Sequence, residues 1–393
     1  MKRISRVNQK YLKFALVSFI FVILFIFLLY PSESDLVQIG QRVQLQQNDI
    51  DINSRTSIKK ELTEAERHWQ RVPGKDFFDG LTQQFKTDVF YYRATKSMDP
   101  RYKVTIVTQA TVNRVDRIVL MADRWKAPIS TSIFIRDPDT ELDQLNQMIA
   151  NNPILMKFVD FHLLYANNTR YPVNNLRNLS IRNSHTDYVL VMDADFIPPY
   201  GMHDYLLKYI DNTGNEEKVA YIVPSFSSSQ DPRILPNDKP TLVEMVEKNL
   251  VNPSNLNVCP KCHSPSDYNR WFETTVPYEV KYSWIYEPYL IFNRNNTELF
   301  DERFKGYGFD KNSHVFTMAV SGYRFIVLPN AFIIHINHPT STWEGPRLDE
   351  QQWDCLRIVC ELIPAVKKKN NYDINDRLFN EPLPNECFSS SHW

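Results

Sequence analysis

The feature that most constrains the fold of this chain is a regular alternation of apolar and amphipathic segments between residues 103 and 193. Four short segments rich in β-branched and apolar residues, 104–108, 129–137, 158–166 and 187–193, are the predicted strands. The three segments between them place apolar residues at helical spacing. Strands that alternate with helices in this way are typical of β-α-β units, in which the strands run parallel. We therefore predict an α/β fold with a Rossmann-like first half.

The alternation becomes irregular in the second half of the chain. Three further apolar segments, 219–226, 288–294 and 324–336, are predicted strands separated by long loops, and 349–369 is a predicted late helix. The sequence contains no internal repeat. We therefore predict that residues 100–393 form one domain, with a parallel first half and a mixed second half.

The N-terminus has the pattern of a membrane anchor. Residues 1–13 carry five Lys or Arg residues, and the next 17 residues, Phe14–Tyr30, are uncharged and apolar. At 1.5 Å per residue this segment would span roughly 25 Å as a helix, at the short end for a bilayer. A cleaved signal peptide is the alternative, but no small-residue cleavage site follows. We predict a cytosolic tail (1–13), a transmembrane signal-anchor (14–30), a stem without strands (31–99) and a lumenal domain.

Composition excludes some functions. The 45 Lys and Arg residues balance the 46 Asp and Glu residues, so nothing indicates binding to nucleic acid. With nine glycines, and neither G-x-G-x-x-G nor G-x-x-x-x-G-K-[ST], a glycine-rich phosphate loop is not expected. Two of the five cysteines form a C-x-x-C pair, Cys259 and Cys262, for which we predict a disulfide, with zinc as the alternative. The pairing of the other three stays open.

The predicted strand at 187–193 ends in two carboxylates, Asp193 and Asp195. Ligands of open α/β sheets bind beyond the carboxyl ends of the strands, and buried carboxylates require a positive partner. A D-x-D at such a position can bind a hard divalent cation, whose remaining ligands are typically substrate phosphates. The alternative is structural: Asp195 caps a turn and Asp193 accepts a backbone hydrogen bond.

A third candidate ligand is His335, at the end of another apolar strand and followed by His338. The structural alternative is that His335 is a core residue whose ring nitrogens have hydrogen-bond partners within the protein. An imidazole beside two carboxylates favours Mn²⁺ over Mg²⁺. Phosphatases of the haloacid-dehalogenase type also use a strand-end D-x-D, but their motif usually follows the first strand, and Ile197 replaces the Thr or Val that they require.

Several motifs together resemble glycosyltransferase family 49, which includes the LARGE-type second catalytic domain and a β-1,4-glucuronyltransferase. The resemblance covers residues 103 to 340 and rests on YPVNNLRNLSIRNSHTDYVLVMDADFIPP, CPKCHSPSDYNRW, YEPYLIFN and FDERFKGYGFDKNSHVFTMAVSGYRFIVLPNAFIIHINHP. It implies a GT-A fold, a UDP-sugar donor, and a metal bound by Asp193, Asp195 and His335. It also implies inversion at the anomeric carbon by single displacement, which requires a general base near the acceptor hydroxyl.

Two residues are the main candidates for that base. Glu287 lies in YEPYL between aromatic residues, where burial would raise its pKa. Asp310 lies in GYGFDKN, at the position of the acidic residue of many GT-A enzymes. The family relatives carry Asn at that position, so we favour Glu287 over Asp310 as the base. Asp301 is a further candidate. The structural alternative for Glu287 is an ion pair with Arg303 or Lys281.

The helix that precedes the D-x-D strand offers candidate donor contacts. Its first turns contain Asn174, Asn175, Arg177 and Asn178, and the N-terminal end of a helix favours negative charge. We predict that Arg177 binds the diphosphate or the carboxylate of a glucuronate donor, with a solvated surface arginine as the alternative. If Asn178 faces the donor, its N-x-S sequon is not glycosylated.

The sequence thus predicts a Golgi type II membrane glycosyltransferase that uses Mn²⁺, with Mg²⁺ as the alternative, and transfers a sugar from UDP to a glycan on glycoprotein. Glucuronic acid is the first choice of sugar, and xylose and N-acetylglucosamine are the alternatives. A metal-dependent phosphatase and an inactive glycan-binding relative are the alternatives from other classes.

Overall fold

The computed structural model describes residues 85–166, 170–210, 218–254, 259–306, 308–338 and 361–371. The strands in these ranges are β1 (Lys86–Tyr92), β2 (Val104–Thr111), β3 (Ile129–Ile135), β4 (Val159–Tyr165), β5 (Tyr188–Val191), β6 (Phe196–Ile197), β7 (Val219–Val223), β8 (Ser225–Ser228), β9 (Val251–Pro253), β10 (Tyr278–Val280), β11 (Tyr289–Asn293), β12 (Arg324–Val327) and β13 (Ile333–Ile336). The helices are α1 (Val115–Trp125), α2 (Pro138–Asn151), α3 (Pro153–Phe158), α4 (Val173–Arg182), α5 (Met202–Ile210), α6 (Lys239–Glu247), α7 (Pro260–His263), α8 (Tyr268–Glu273), α9 (Asp310–Val320) and a helical segment at 361–369.

Nine of these strands form one sheet, in the order β1-β4-β3-β2-β5-β11-β7-β12-β10. Strands β2, β3, β4 and β5 are parallel, and α1, α2 with α3, and α4 connect them. The prediction of three β-α units before the D-x-D strand is therefore confirmed, and so is a mixed second half, because β11 is antiparallel to β5 and β7.

The parallel strands are buried on both faces. Every residue of β3 is buried, as expected for a strand covered by helices on both sides. Successive side chains of β2 point to opposite faces, so Ile106 packs into one apolar core and Val107 into the other. The sheet is thus a rigid centre, and the polar residues at its carboxyl edge are held in place by the strands that precede them.

Two segments predicted as single strands each divide between two sheets. In 219–226 and in 324–336, the first part belongs to the nine-stranded sheet and the second part to a four-stranded sheet with the order β6-β13-β8-β9. Pro224 and Pro329 lie at the two transitions. A proline has no N–H to donate to a strand ladder, so each segment leaves the first sheet near its proline.

The predicted absence of strands from 31–99 is wrong for its last part, because β1 pairs antiparallel with β4 at the edge of the large sheet. Its alternation is hard to recognise because all seven of its residues are exposed or half-buried. Residues 86–92 are thus part of the sheet of the domain predicted to begin at residue 100.

Several predicted features lie outside the described residues. These are the tail and anchor (1–30), the stem up to residue 84, the first part of the late helix, and Cys355, Cys360 and Cys387. Among the helices that the structure does describe, none is long and apolar enough to cross a membrane.

Candidate active site

The D-x-D motif lies at the carboxyl edge of the large sheet. Strand β5 ends at Val191, and Met192 still donates its N–H to the carbonyl of Val107 on β2. The chain then turns, and the carbonyl of Asp193 accepts a hydrogen bond from the N–H of Phe196. Both carboxylates therefore project from the turn that joins β5 to β6, at the edge where α/β sheets bind their ligands.

The second aspartate lies against two histidines from β13 and the loop after it. Strand β6 pairs antiparallel with β13, so that His335 lies opposite Phe196, and the N–H of Ile336 donates to the carbonyl of Asp195. The Oδ2 atom of Asp195 is 3.3 Å from Nε2 of His335 and 3.0 Å from Nε2 of His338. We call Asp195, His335 and His338 the metal triad.

The donor set of the triad fits a divalent cation. One ligand atom from each of its three residues lies within 4.8 Å of the others. The Oδ1 atom of Asp195 is buried and has no hydrogen-bond partner within the described residues, a costly state unless something positive binds there. Nδ1 of His335 lies 3.1 Å from Oδ1 of Asn337, a contact that leaves Nε2 available as a ligand atom.

The Asp195 carboxylate supplies the negative charge that a cation needs, whereas the raised pKa of His335 favours an imidazolium, which must lose its Nε2 proton before it can bind a metal. Burial would raise the pKa of Asp195, but the hydrogen bond from His335 and that from His338 outweigh it and lower the pKa. Burial would lower the pKa of His335, and the Asp195 carboxylate raises it instead. Asp195 is therefore an ionised carboxylate at neutral pH, as a metal ligand must be.

The first aspartate of the motif has a different set of partners. Oδ1 of Asp193 is 3.0 Å from the Arg177 guanidinium, and Oδ2 accepts from Nζ of Lys311 at 2.8 Å and from the hydroxyl of Tyr289 at 3.0 Å. Burial would raise the pKa of Asp193, but Lys311 and Arg177 hold it below its usual range. Asp193 was predicted as a metal ligand, and the structure places its oxygens against two positively charged side chains, those of Arg177 and Lys311.

Arg177 is buried rather than solvated. Its side chain is 3% exposed and connects Asp193 with Asp310, whose Oδ2 is 2.6 Å from the other terminal nitrogen. Burial disfavours the charged form, but these two carboxylates raise the pKa of Arg177 above its ordinary value. The predicted alternative of an ordinary surface arginine is thus wrong, and Asp310, the first residue of α9, is an ion-paired carboxylate.

Glu287 lies directly beside this group. Because β11 is antiparallel to β5, the residues that precede β11 lie near the end of β5. Oε1 of Glu287 is 3.0 Å from Nζ of Lys311, so its partner is neither Arg303 nor Lys281. Burial raises the pKa of Glu287, and Lys311 offsets only part of that rise. A carboxylate whose pKa is raised by burial is a candidate general base.

The backbone around the two candidate bases is fixed by uncommon geometry. The N–H of Glu287 donates to the carbonyl of Cys262, and a disulfide joins Cys262 to Cys259, as predicted. Ile285 and Phe309 both have a positive φ, 64° and 55°. A β-branched or aromatic residue in the left-handed region costs of order 1–3 kcal/mol and persists only when the surrounding structure fixes it.

The three predicted asparagine contacts on α4 face a neighbouring loop. Asn178 is 1% exposed; its amide donates to the Phe300 carbonyl and to Glu302, and its carbonyl accepts from the N–H of Phe300. Asn175 donates to Glu302, and Asn174 donates to the Asp301 carbonyl. In this structure these side chains position the 300–302 loop, and a contact with the nucleotide stays a prediction.

Asp301, the further candidate for the base, is held by an arginine two residues away. Its Oδ2 lies 2.7 Å from the Arg303 guanidinium, in a salt bridge within DERF. The same arginine also contacts Glu361. Asp301 thus belongs to a structural ion pair, and it contributes no contact to Asp193 or Asp195 among the described interactions.

Sequence reasoning did not assign three residues of the site: Lys311, Tyr289 and His338. His338 lies only three residues after His335, and Lys311 directly follows Asp310. Proximity to the candidates was therefore the available signal. The direction of each side chain depends on β11, β13 and α9 meeting at one edge, and this could not be read from spacing.

Comparison with known proteins identifies the family of this chain. The sequence profile of the family described as glycosyl-transferase for dystroglycan matches residues 103–170 and 165–352. Glycosyltransferase-like protein gnt14 of Dictyostelium discoideum is 55% identical over 298 residues, which cover 75% of this chain and 46% of that protein. Xylosyl- and glucuronyltransferase LARGE2 of Rattus norvegicus is 30% identical over 281 residues, 70% of this chain and 39% of that protein.

The chain thus spans less than half the length of these two relatives. Among solved structures, that of GalNAc-T7 with UDP, GalNAc and Mn²⁺ covers 69% of this chain and 55% of its own, at 10% identity and a TM-score of 0.42. At this TM-score the likeness says nothing further about the fold or the site. The family profile, by contrast, covers more than half of the chain, including the D-x-D motif, Glu287 and His335. The chain therefore belongs to this glycosyltransferase family, and the resemblance seen in its motifs is confirmed.

Proposed function

We propose that this protein is a metal-dependent, inverting glycosyltransferase of the GT-A type, which transfers a sugar from a UDP-sugar donor to a glycan acceptor on glycoprotein. The observation that carries this proposal is the metal triad beside Glu287 at the carboxyl edge of a parallel sheet. A cation site that needs a further ligand and a carboxylate with a raised pKa are the two components that a single displacement requires.

The residues that would hold the cation are Asp195, His335 and His338. Two imidazoles and one carboxylate favour Mn²⁺, with Mg²⁺ as the alternative, because Mg²⁺ prefers an all-oxygen set. When bound, such a cation neutralises charge on the departing diphosphate. Asp193 remains a predicted ligand, although its contacts with Arg177 and Lys311 also suit a role in orienting those two side chains.

Glu287 is the proposed general base. Its side chain is 25% exposed, whereas that of Asp310 is 11% exposed. Both oxygens of Asp310 are engaged, by Arg177 and by the N–H of Gly308, whereas the ion pair of Glu287 with Lys311 is made through Oε1. A base must reach the acceptor hydroxyl with an available oxygen, and this favours Glu287.

The proposal also includes the sugar of the donor and the cellular location of the enzyme. Glucuronic acid is the first choice of sugar, and xylose and N-acetylglucosamine follow. Arg177 remains the candidate for a donor contact, next to Asp193. The Cys259–Cys262 disulfide suits an oxidising compartment, in agreement with a Golgi enzyme that is held by residues 14–30 as a type II anchor and has its catalytic domain in the lumen.

The test uses the full-length protein in detergent with UDP-glucuronic acid, UDP-xylose and UDP-N-acetylglucosamine, an oligosaccharide acceptor, and Mn²⁺, Mg²⁺ or EDTA. We expect UDP release that requires Mn²⁺, stops with EDTA and is fastest with UDP-glucuronic acid. Mn²⁺ binding, measured by electron paramagnetic resonance, gives a readout independent of turnover. The proposal fails if no UDP-sugar yields UDP, or if EDTA has no effect.

A further inference from the structure

Five charged side chains at the site form one continuous series of alternating sign. Asp310 pairs with Arg177 at 2.6 Å, Arg177 with Asp193 at 3.0 Å, Asp193 with Lys311 at 2.8 Å, and Lys311 with Glu287 at 3.0 Å. We call this series the charge chain. It joins the two candidate bases at its ends, and it has the first aspartate of the D-x-D motif at its centre.

Lys311 is the link in this series that touches the proposed base. Its side chain is only 16% exposed. Its Nζ lies 2.8 Å from Oδ2 of Asp193, 3.0 Å from Oε1 of Glu287 and 3.2 Å from the hydroxyl of Tyr289. An ammonium group has three hydrogens to donate, and here each of them has an oxygen within reach.

This arrangement fixes Nζ from three directions. Asp193 lies on the turn after β5, Tyr289 on β11, and Lys311 itself in the first turn of α9. The oxygens of Asp193 and Tyr289 hold the ammonium group in place next to the third oxygen, which belongs to Glu287. Asp193 and Tyr289 belong to the sheet edge, whereas Glu287 lies in the segment before β11, so Lys311 connects the Glu287 carboxylate to the sheet edge.

Glu287 is held at its backbone and at one carboxylate oxygen. The Cys262 carbonyl accepts from its N–H at 2.8 Å, and Lys311 contacts Oε1. Within the described residues, the ion pair of Glu287 with Lys311 is made through Oε1 rather than through Oε2. A glutamate side chain has three rotatable bonds, and without Lys311 the carboxylate would be free to choose among several rotamers.

We propose that Lys311 is a positioning residue, which holds Oε1 of Glu287 so that Oε2 is directed to the acceptor hydroxyl, with Asp193 as the anchor of the lysine. This inference rests on the proposed function, because it assumes that Glu287 is the base. Proper orientation of a catalytic group is worth a large factor, since a displacement of about 1 Å can cost about 100-fold in rate.

The experiment compares Lys311→Met with wild type in the full-length protein. We expect kcat to fall about 10- to 100-fold, with the donor KM and the affinities for Mn²⁺ and UDP within about threefold of wild type. A double variant, Glu287→Gln with Lys311→Met, should be no slower than Glu287→Gln alone, because residues that act as a unit are strongly non-additive.

Lys239→Met is the matched control for loss of a buried lysine. Nζ of Lys239 donates to the carbonyls of Trp271 and Thr274, in a different part of the domain. This variant should lower the melting temperature and leave kcat per folded molecule unchanged. If Lys311→Met does not fold, Lys311→Arg replaces it: the charge is kept, but a planar guanidinium cannot donate in three directions from one nitrogen, so kcat should remain at least about fivefold below wild type.

Three results would overturn the inference while leaving the proposed function intact. They are a kcat of Lys311→Met, or of its Arg substitute, within twofold of wild type; a raised donor KM at unchanged kcat; and a double variant in which the two losses multiply. An inactive wild type with every UDP-sugar would instead overturn the proposed function, and this inference with it.

Discussion

Two groups of aspartate and histidine lie in this domain, one half-buried and one fully buried, and they differ in whether their hydrogen bonds are complete. One is the metal triad. The other, which we call the edge cluster, consists of Ser130, Asp160 and His162 on β3 and β4. Because the residue types are nearly the same, the difference between the groups shows what separates a structural polar cluster from a candidate site.

Within the described residues, no buried side-chain nitrogen or oxygen of the edge cluster lacks a hydrogen-bond partner. The backbone N–H of Phe90 donates to Nδ1 of His162, so the other ring nitrogen, Nε2, carries the proton and donates to the hydroxyl of Ser130. That hydroxyl in turn donates to the carbonyl of Ser180. Burial lowers the pKa of His162 to about 3, so its ring is neutral at pH 7, and burial raises the pKa of Asp160. The cluster joins β1 to the sheet and has no need of a ligand.

The metal triad has the opposite electrostatics. The pKa of Asp195 is lowered and that of His335 is raised, so the charged forms of both are favoured in spite of burial. One oxygen of Asp195 has no hydrogen-bond partner within the described residues. Buried polar atoms are nearly always satisfied. A charged group with an unfilled position is therefore a better sign of a binding site than the residue types themselves.

The largest effect should come from Asp195→Asn. The loss of a charged ligand should reduce Mn²⁺-dependent turnover by at least about 1000-fold, because a bound cation supplies several kcal/mol of transition-state stabilisation. Mn²⁺ binding, followed by electron paramagnetic resonance, should be lost as well.

The matched control for this variant is Asp160→Asn. Since burial already favours the neutral form of Asp160, the amide can accept from the N–H of Ala94 as the carboxyl does. We expect Mn²⁺ binding and turnover to stay at wild-type levels. If Asp160→Asn lost Mn²⁺ binding, or Asp195→Asn retained it, the comparison between the two clusters would be broken.

A second variant, Glu287→Gln, tests the base. It should lower kcat by about 100- to 10,000-fold, the usual contribution of a general base, and leave Mn²⁺ binding in place. Asp310→Asn should have a much smaller effect, because Asp310 already pairs with Arg177. Steady-state kinetics of the two variants decide between them: near-normal turnover of Glu287→Gln together with an inactive Asp310→Asn would assign the base to Asp310.

The smallest effect concerns the pH dependence of stability, and it tests the edge cluster. The pKa of His162 is about 3 in the folded protein, compared with the ordinary value of 6.5 that applies to the unfolded chain. The unfolded chain therefore binds more protons in this window, and stability falls as the pH drops below 6.5. At pH 5 the loss should reach up to about 2 kcal/mol, at about 1.4 kcal/mol per pH unit.

His162→Gln isolates this contribution. The variant should be less stable than wild type at pH 7.5, by about 1–3 kcal/mol, because two buried hydrogen bonds change. Its further loss of stability between pH 7.5 and pH 5 should be smaller than that of wild type, as measured by urea denaturation at both values. An equal loss in both proteins would show that His162 is protonated in the folded state.

The parallel half of the fold was readable from sequence because its signal is local. Residues 104–193 alternate between strand and helix patterns, and each element formed near its predicted position. Strand β1 was missed because an edge strand with exposed side chains lacks a regular apolar pattern. The division of 219–226 and 324–336 between two sheets was missed for another reason: both parts of each segment are apolar, and pattern does not say which neighbour a strand pairs with.

The sequence by itself determined the chemistry that the site can use: two aspartates at a strand end, His335 on a later strand, and a glutamate between aromatic residues. The tertiary structure decided how these residues are paired. It joined Asp195 to His335 and His338, and it placed Asp193 between Arg177 and Lys311. The physical reason is that periodicity specifies the face of an element, which is a local property. Which charges meet depends on the antiparallel registers of β6 with β13 and of β5 with β11, which only packing sets.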